Sequence, residues 1–279
     1  MSRESDVEID SPQIRSVAKA LSILDLLARN GREMSLSEIS GEMGSAKSTV
    51  HGLLVTLKDF HYVEQESFGG KYRLGIRLFE MGNIVANSWD VRRIAAPHIE
   101  RLVDELEETV HLAVLNEDRV LYIDKRESRR SIRIVSQVGM RLPAHCSGVG
   151  KALLAYLPPA QLQRLVASQG LPSFTSNTIT DLRRLEEELE LIRERGYAVD
   201  NEEIMEGLRC VAAPIRNNSG VVCAAISVSG PVARLVGDRF ARVVEMVMGT
   251  AAEISAGLGY RLSRNGEIHG AKGVPVPTT

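Results

Sequence analysis

Two short amphipathic stripes, separated by only a three- or four-residue turn around Gly44, do most to narrow what this chain can form. Ser35 opens the first stripe and Glu38 follows three residues later, the pattern of a capping box, in which each end satisfies a free N–H of the other. Leu36, Ile39 and Met43 are its apolar positions. Ser45 stands where it can cap the second stripe. There Val50, Leu53, Leu54 and Leu57 recur at helical spacing, while Lys47, Ser48, Thr49 and His51 fall on the other side. Upstream, Ser16 is the expected cap of a helix carrying Val17, Ala20, Leu21, Ile23, Leu24, Leu27 and Ala28, and Asn30-Gly31 is its stop signal. Two helices joined by a short Gly-containing turn are a helix-turn-helix. Downstream, Tyr62-Val-Glu64 and Lys71-Tyr-Arg-Leu74 flank Ser67-Phe-Gly-Gly70, which reads as a β-hairpin placed like a wing.

In a helix-turn-helix the N-terminal residues of the second helix reach the major groove. Here those are Ala46, Lys47, Ser48, Thr49 and His51, small or polar side chains that can approach base edges and phosphates. Lys71 and Arg73 alternate with Tyr72 and Leu74, so the two basic residues share a face that can meet the DNA backbone. Exposed Lys, Ser and Thr are also ordinary on any helical bundle. Charge adds little, since the whole chain carries −2 and residues 12–77 hold nine basic against seven acidic residues. The expectation of DNA binding therefore rests on the order of three helices and a wing.

This N-terminal region resembles the IclR-type transcriptional regulators. Arg15-Ser-Val-Ala-Lys-Ala-Leu-Ser-Ile-Leu is similar to their first helix, Lys47-Ser-Thr-Val-His with Leu53-Leu54 to their recognition helix, and Tyr72-Arg-Leu-Gly75 to the end of their wing. The resemblance adds Arg15 to the expected DNA contacts. Gly52 departs from the Arg that members commonly carry, which removes a phosphate contact. His61 departs from their Gly at the helix end, but His tolerates a left-handed backbone better than most residues.

The rest of the chain excludes several classes. No apolar run approaches the ~20 residues that span a bilayer, and no signal-peptide core follows the N-terminus, so the cytoplasm is the expected location. Cys146, Cys210 and Cys223 are an odd, sparse set without CxxC spacing, which argues against a disulfide framework and a zinc finger. Apolar residues make up 44% of the chain, enough for a packed core. Residues 1–11 and 263–279 are expected to lie outside it.

Residues 78–95 read as a linker helix with Ile84 and Val85 among its apolar positions, and Pro97 is expected to bend or divide the helix that follows. The lone Trp89 sits at this junction as a core or interface residue. Beyond it, 110–115, 120–125 and 132–135 read as strands. Residues 150–156, 159–168 and 181–195 read as helices, then 197–200, 210–215 and 221–229 as strands, with 238–257 as a final helix. Strand pairs joined by turns, with helices between them, indicate an α+β domain around an antiparallel sheet. The expected organisation is a winged helix-turn-helix over 12–77, a linker helix over 78–95 and an effector-binding domain over 96–262.

The resemblance continues through Gly139-Met-Arg-Leu-Pro-Ala-His-Cys-Ser-Gly-Val-Gly-Lys-Ala152, Arg195-Gly-Tyr-Ala-Val-Asp200, Gly207-Leu-Arg-Cys-Val-Ala-Ala-Pro-Ile215 and Ser227-Val-Ser-Gly-Pro231. It implies a profilin-like or GAF-like effector domain that binds a small organic molecule. It also implies subunit association through the connecting helix. By position, Asp200, Leu208, Cys210, Ser227 and Ser229 are implied to line the pocket, with Gly148 and Val149 as backbone donors.

The residues agree on their own terms. Ser147-Gly-Val-Gly150 stands at a helix start, where free N–H groups and the helix dipole favour an anion; ordinary glycine-rich helix starts share the pattern. Ser227 and Ser229 present two hydroxyls from one strand face. Leu208 offers an apolar wall. Together these suggest a small organic acid or similar polar metabolite, although an ionised Asp200 would oppose an acid. His111, His145, Cys146, Asp200 and Cys210 are types that bind metal, but they have no local spacing motif, so no metal or other cofactor is expected. An enzyme is the rival reading, since Cys146 next to His145 invites a cysteine nucleophile. Neighbours on an extended segment point apart, and no phosphate-binding fingerprint is present. The expected protein is thus a regulator of duplex operator DNA, homodimeric or a dimer of dimers and without a membrane partner.

Overall fold

The computed structural model describes residues 14–66, 70–88, 90–127 and 136–261. The chain divides into two compact units, Met1–Ser88 and Trp89–Thr279. Trp89, residues 132–135, both expected tails and part of the wing turn lie outside the described residues.

The first unit contains α1 (Arg15–Asn30), α2 (Leu36–Glu42), α3 (Lys47–Asp59), the strands β1 (Val63–Gln65) and β2 (Tyr72–Leu74), and α4 (Ile76–Ser88). Ser16 does not cap α1. The Ile14 carbonyl already accepts the N–H groups of Val17 (3.0 Å) and Ala18 (3.1 Å), so the helix closes two residues earlier than a Ser16 cap requires. Its core face is Ile23, Leu26 and Leu27, while Val17 and Leu21 remain exposed. Gly31 ends it in the left-handed conformation, φ 60°, with its N–H on the Leu27 carbonyl.

The capping box of α2 forms in both directions. The Ser35 N–H donates to Glu38 Oε2 at 2.7 Å and the Glu38 N–H to Ser35 Oγ at 3.3 Å. That Ser35 N–H is the main cause holding the Glu38 carboxyl down at about 2. Ser45 does not cap α3, because its hydroxyl donates to the Met43 carbonyl and Ala46 occupies the cap position. Val50 and Leu54 of α3 are fully buried against α1, and Leu53 and Leu57 are half-buried. His61 then takes φ 61°, the left-handed turn that a histidine tolerates. Gly75 lies against this turn, and a Cβ there would collide with the His61 backbone carbonyl. The wing pairs Val63 with Leu74, Glu64 with Arg73 and Gln65 with Tyr72. Met34 adds a bridge to Tyr72 through bonds of 2.9 and 2.7 Å.

The second unit begins with α5 (Asp90–Leu106). Pro97 lies inside α5 and does not divide it; Ala95, Ile99, Leu102 and Leu106 bury one continuous face on both sides of the proline, and that packing holds the helix together despite the missing backbone donor. Six strands follow: β3 (Thr109–Asn116), β4 (Arg119–Arg126), β5 (Arg141–Pro143), β6 (Ala198–Asn201), β7 (Leu208–Arg216) and β8 (Val222–Pro231). They form one antiparallel sheet in the order β5-β4-β3-β8-β7-β6. The helices are α6 (Gly148–Leu154), α7 (Pro159–Gln169), α8 (Leu182–Arg195) and α9 (Gly237–Gly257). The short β5 falls in the Gly139–Ala152 signature, where no strand is expected from periodicity.

Strand alternation sorts side chains by size. Val110, Leu112, Val211, Ile226 and Val228 face α5 and α9 in one large apolar core. The intervening Ala113, Ala212 and Ala225 face α6 and α8, and their small size lets α6 approach closely. Gly148 faces Cys210 and Ala212 of the sheet, and Gly150 lets the segment before α6 fold back against the helix, since a Cβ there would collide with the Ala144 backbone. Between the two layers this face also carries His111, Cys210, Ser227 and Ser229, and there the packing leaves a cavity.

Candidate functional site: an exposed recognition helix and a buried polar cavity

In the first unit, Arg15, Ala46, Lys47, Ser48, Thr49, His51, Lys71 and Arg73 are all solvent-exposed. Ala46 to Thr49 form the cap and first turn of α3, so their free backbone donors and side chains point outward together. The wing is less basic than its sequence suggests. Arg73 pairs with Glu64 across the hairpin at 3.1 Å and with Glu33 at 3.3 Å. Sequence reading missed Glu33 and Glu64 as partners because neither lies on the strand that carries Arg73. The geometry presents a small polar helix end beside a two-stranded arm, with the Lys71 charge on the arm.

In the second unit, one cavity is lined by Gly148, Val149, Asp200, Leu208, Cys210, Ser227 and Ser229, the full set expected for the effector site. Its free interior is about 20 Å³. The sheet register explains the convergence. Asp200 pairs with Cys210 and Cys210 with Ser229, so these three form a row across β6, β7 and β8. Ser227 pairs with His111 in the next row. The start of α6 closes the cavity above them: Ser147 caps this helix by accepting the Gly150 N–H. The N–H groups of Gly148 and Val149 occupy the same first turn, where no earlier helical carbonyl is available to them.

Five further residues complete the lining: His111, Tyr122, Leu142, Ser147 and Ile204. His111 was legible, since it alternates with Val110 and Leu112 and so must share a face with Ala113. Ile204 was not, because it lies on the irregular strap between β6 and β7. The His111 ring stacks on Tyr122 with centroids 4.4 Å apart. Its Nε2 meets Ser136 Oγ at 2.8 Å and its Nδ1 meets Ser229 Oγ at 3.5 Å. Burial drives its pKa down to about 3, so the ring is neutral and each nitrogen can donate or accept as the tautomer requires.

Asp200 accepts the Glu203 N–H on Oδ1 at 2.8 Å, while Oδ2 is buried without a partner. Burial raises its carboxyl to about 7, against the opposing pull of that backbone bond. A carboxyl near neutrality can be protonated and donate a hydrogen bond, which removes the conflict with an acidic ligand. Burial likewise pushes the Cys210 thiol well up and the Cys146 thiol to about 12, so neither is a ready nucleophile. His145 Nε2 meets the Pro172 carbonyl at 3.0 Å. Among the described residues no group of three His, Cys, Asp or Glu is arranged to hold a metal ion. No helix among them is long and apolar enough to cross a membrane.

Comparison with known proteins supplies the context. Residues 16–67 match the IclR helix-turn-helix domain and residues 84–256 match the C-terminal domain of bacterial IclR transcriptional regulators. The chain is 39% identical over 247 residues to the HTH-type transcriptional repressor AllR of Salmonella paratyphi A, covering 88% of this chain and 91% of AllR. It is 38% identical to the HTH-type transcriptional regulator XynR of Escherichia coli, covering 89% and 99%. Among solved structures, the Thermotoga maritima IclR aligns with a TM-score of 0.75 at 34% identity, covering 89% of this chain and all of that one. An IclR homolog from Microbacterium hydrocarbonoxydans, solved in complex with 4-hydroxybenzoate, aligns with a TM-score of 0.78 at 28% identity, covering 87% and 98%.

Proposed function

Because the chain belongs to the IclR family of transcriptional regulators, we propose that it binds a duplex operator through residues 12–77 and senses a small organic acid in the cavity of its 96–262 domain. The observation that carries the effector assignment is the convergence of all seven expected pocket residues on one closed cavity. Two serine hydroxyls, the first-turn N–H groups of α6 and a carboxyl that burial keeps near neutrality suit a carboxylate. Tyr122, Leu142, Ile204 and Leu208 suit a compact carbon skeleton. A homolog crystallised with an aromatic hydroxy acid supports the same ligand class.

For DNA, Ala46, Lys47, Ser48, Thr49 and His51 are the base-reading residues, and Arg15, Lys71 and Arg73 contact the backbone. Residues 78–95 connect the domains. The protein works in the cytoplasm as a homodimer or dimer of dimers, in which paired modules read two half-sites. Effector binding shifts the balance between arrangements that hold DNA well and poorly, to the extent that it prefers one of them.

The test is calorimetry against short carboxylates, hydroxy acids and aromatic acids. Replacing Ser227 and Ser229 together with Ala should weaken a true effector by ~1–3 kcal/mol. Unchanged affinity in that variant would place the pocket elsewhere.

A further inference from the structure

Residues 202–207, the strap between β6 and β7, serve two hollows. Ile204 lines the effector cavity, whereas Glu203 lines a separate surface groove of about 460 Å³ beside β6 and α8. The chemistry of this groove is built, not incidental. The Lys151 ammonium is 1% exposed and pairs with Glu203 and, at 3.6 Å, with Glu188. Arg195 also pairs with Glu188, at 2.7 Å. Two cations and two carboxylates thus close a neutral network.

Two groups in the groove are left over. Glu203 Oε2 is buried and has no hydrogen-bond partner, a state that costs free energy unless a donor arrives. Arg184 lines the groove and is exposed, with no ion pair among the described residues. It stands four residues before Glu188 on α8, so the two project from one helix face, roughly 5–6 Å apart at Cβ. An unmet acceptor beside carboxylates calls for an ammonium, and a free guanidinium beside it calls for a carboxylate.

We propose that this groove is a second ligand site, which binds a small amino acid with its ammonium on Glu203 Oε2 and its carboxylate on Arg184. The site acts on the strap. The Glu203 N–H donates to Asp200 Oδ1 at 2.8 Å, and the Glu203 carbonyl accepts from Thr178 Oγ1 at 2.6 Å. A ligand on the Glu203 carboxylate therefore steadies the segment that also walls the effector cavity. This second site does not depend on the effector reading.

The experiment titrates the full-length protein with glycine, β-alanine and γ-aminobutyrate, which carry the same charges at growing separation, and with acetate, propionate and butyrate as their deaminated partners. At least one amino acid should bind while its deaminated partner binds tenfold or more weakly. Arg184→Ala should weaken that amino acid at least tenfold, and because Arg184 is exposed and unpaired the variant should fold normally. Glu203→Gln should do the same where it folds. The Ser227→Ala, Ser229→Ala variant should bind the amino acid as wild type does. Hydrogen exchange across residues 202–207 should slow on binding in wild type and not in Arg184→Ala. No binding by any of the three amino acids overturns the site. Equal binding by the deaminated acids overturns the ammonium assignment. Loss of amino acid binding in the serine variant would place the ligand in the effector cavity instead. Unchanged exchange would overturn the action on the strap.

Discussion

Asp200 concentrates the electrostatics of the effector cavity in one carboxyl. Burial presses it toward the neutral form and the nearby Glu203 charge adds to that, while the Glu203 N–H and the Lys151 charge pull the other way. Its folded pKa of about 7 lies above the ~3.9 of a free aspartate. Between those values the folded chain keeps a proton that the unfolded chain has released, so stability falls as pH rises through the window and levels off above about 7. Asp200→Asn keeps the acceptor for the Glu203 N–H and removes the ionisation. Its urea midpoint should therefore fall less than that of wild type between about pH 5 and 7. Parallel profiles for the two proteins would assign the slope to another group. At the DNA end, Lys71→Ala should weaken binding on all sequences alike and lower the salt slope by about 1. Arg73→Ala should do less, because Glu64 and Glu33 already hold that guanidinium; a larger loss for Arg73 than for Lys71 would contradict this ranking. Replacing Lys47, Ser48 and Thr49 together with Ala should instead reduce discrimination between operator and random duplex in a gel-shift titration.

At the scale of elements, legibility followed the strength of the local pattern. The β3 and β4 strands, and likewise β7 and β8, were readable as pairs because a polar turn, Asn116-Glu-Asp-Arg119 or Arg216-Asn-Asn-Ser-Gly220, separates two apolar runs. The three-residue β5 offers no alternation to read. The capping box of α2 was readable because its two partners are both local, whereas the starts of α1 and α3 were each misplaced by trusting a serine where backbone bonds decide. Pro97 does not divide α5, for a related reason: tertiary packing on both sides of it outweighs a local helix breaker. The cavity was legible as a set of residues but not as a shape, since the row Asp200, Cys210 and Ser229 exists only once the register of three strands is fixed. Two substitutions weigh these contributions. Ser35→Ala should cost the first unit ~1 kcal/mol by removing one arm of the box. Gly150→Ala should cost the second unit more, ~1–3 kcal/mol, because the added methyl meets the Ala144 backbone, which cannot yield as a side chain can. Chemical denaturation followed separately in each unit would reveal a reversed order.

At the scale of the whole molecule, α4 stands out among the described residues for the apolar side chains it leaves exposed. Ile76, Phe79 and Ile84 of α4 are 56%, 66% and 69% exposed, more than an isolated helix gains by presenting to water. This face suits the subunit contact of the proposed oligomer. Phe79→Glu with Ile84→Glu should shift sedimentation toward a ~30 kDa species and weaken operator binding, because a lone module loses the second half-site. An unchanged sedimentation profile would move the contact elsewhere.

The narrowness of the effector cavity sets a timetable as well as a preference. An interior of about 20 Å³ holds about one water molecule and no organic acid. Entry therefore has to wait for the walls to part. In stopped-flow mixing, the observed rate of effector binding should reach a plateau at high ligand concentration, with the plateau reporting the opening rate. A regulator built this way responds to a sustained rise in its metabolite and is slow to follow a brief one.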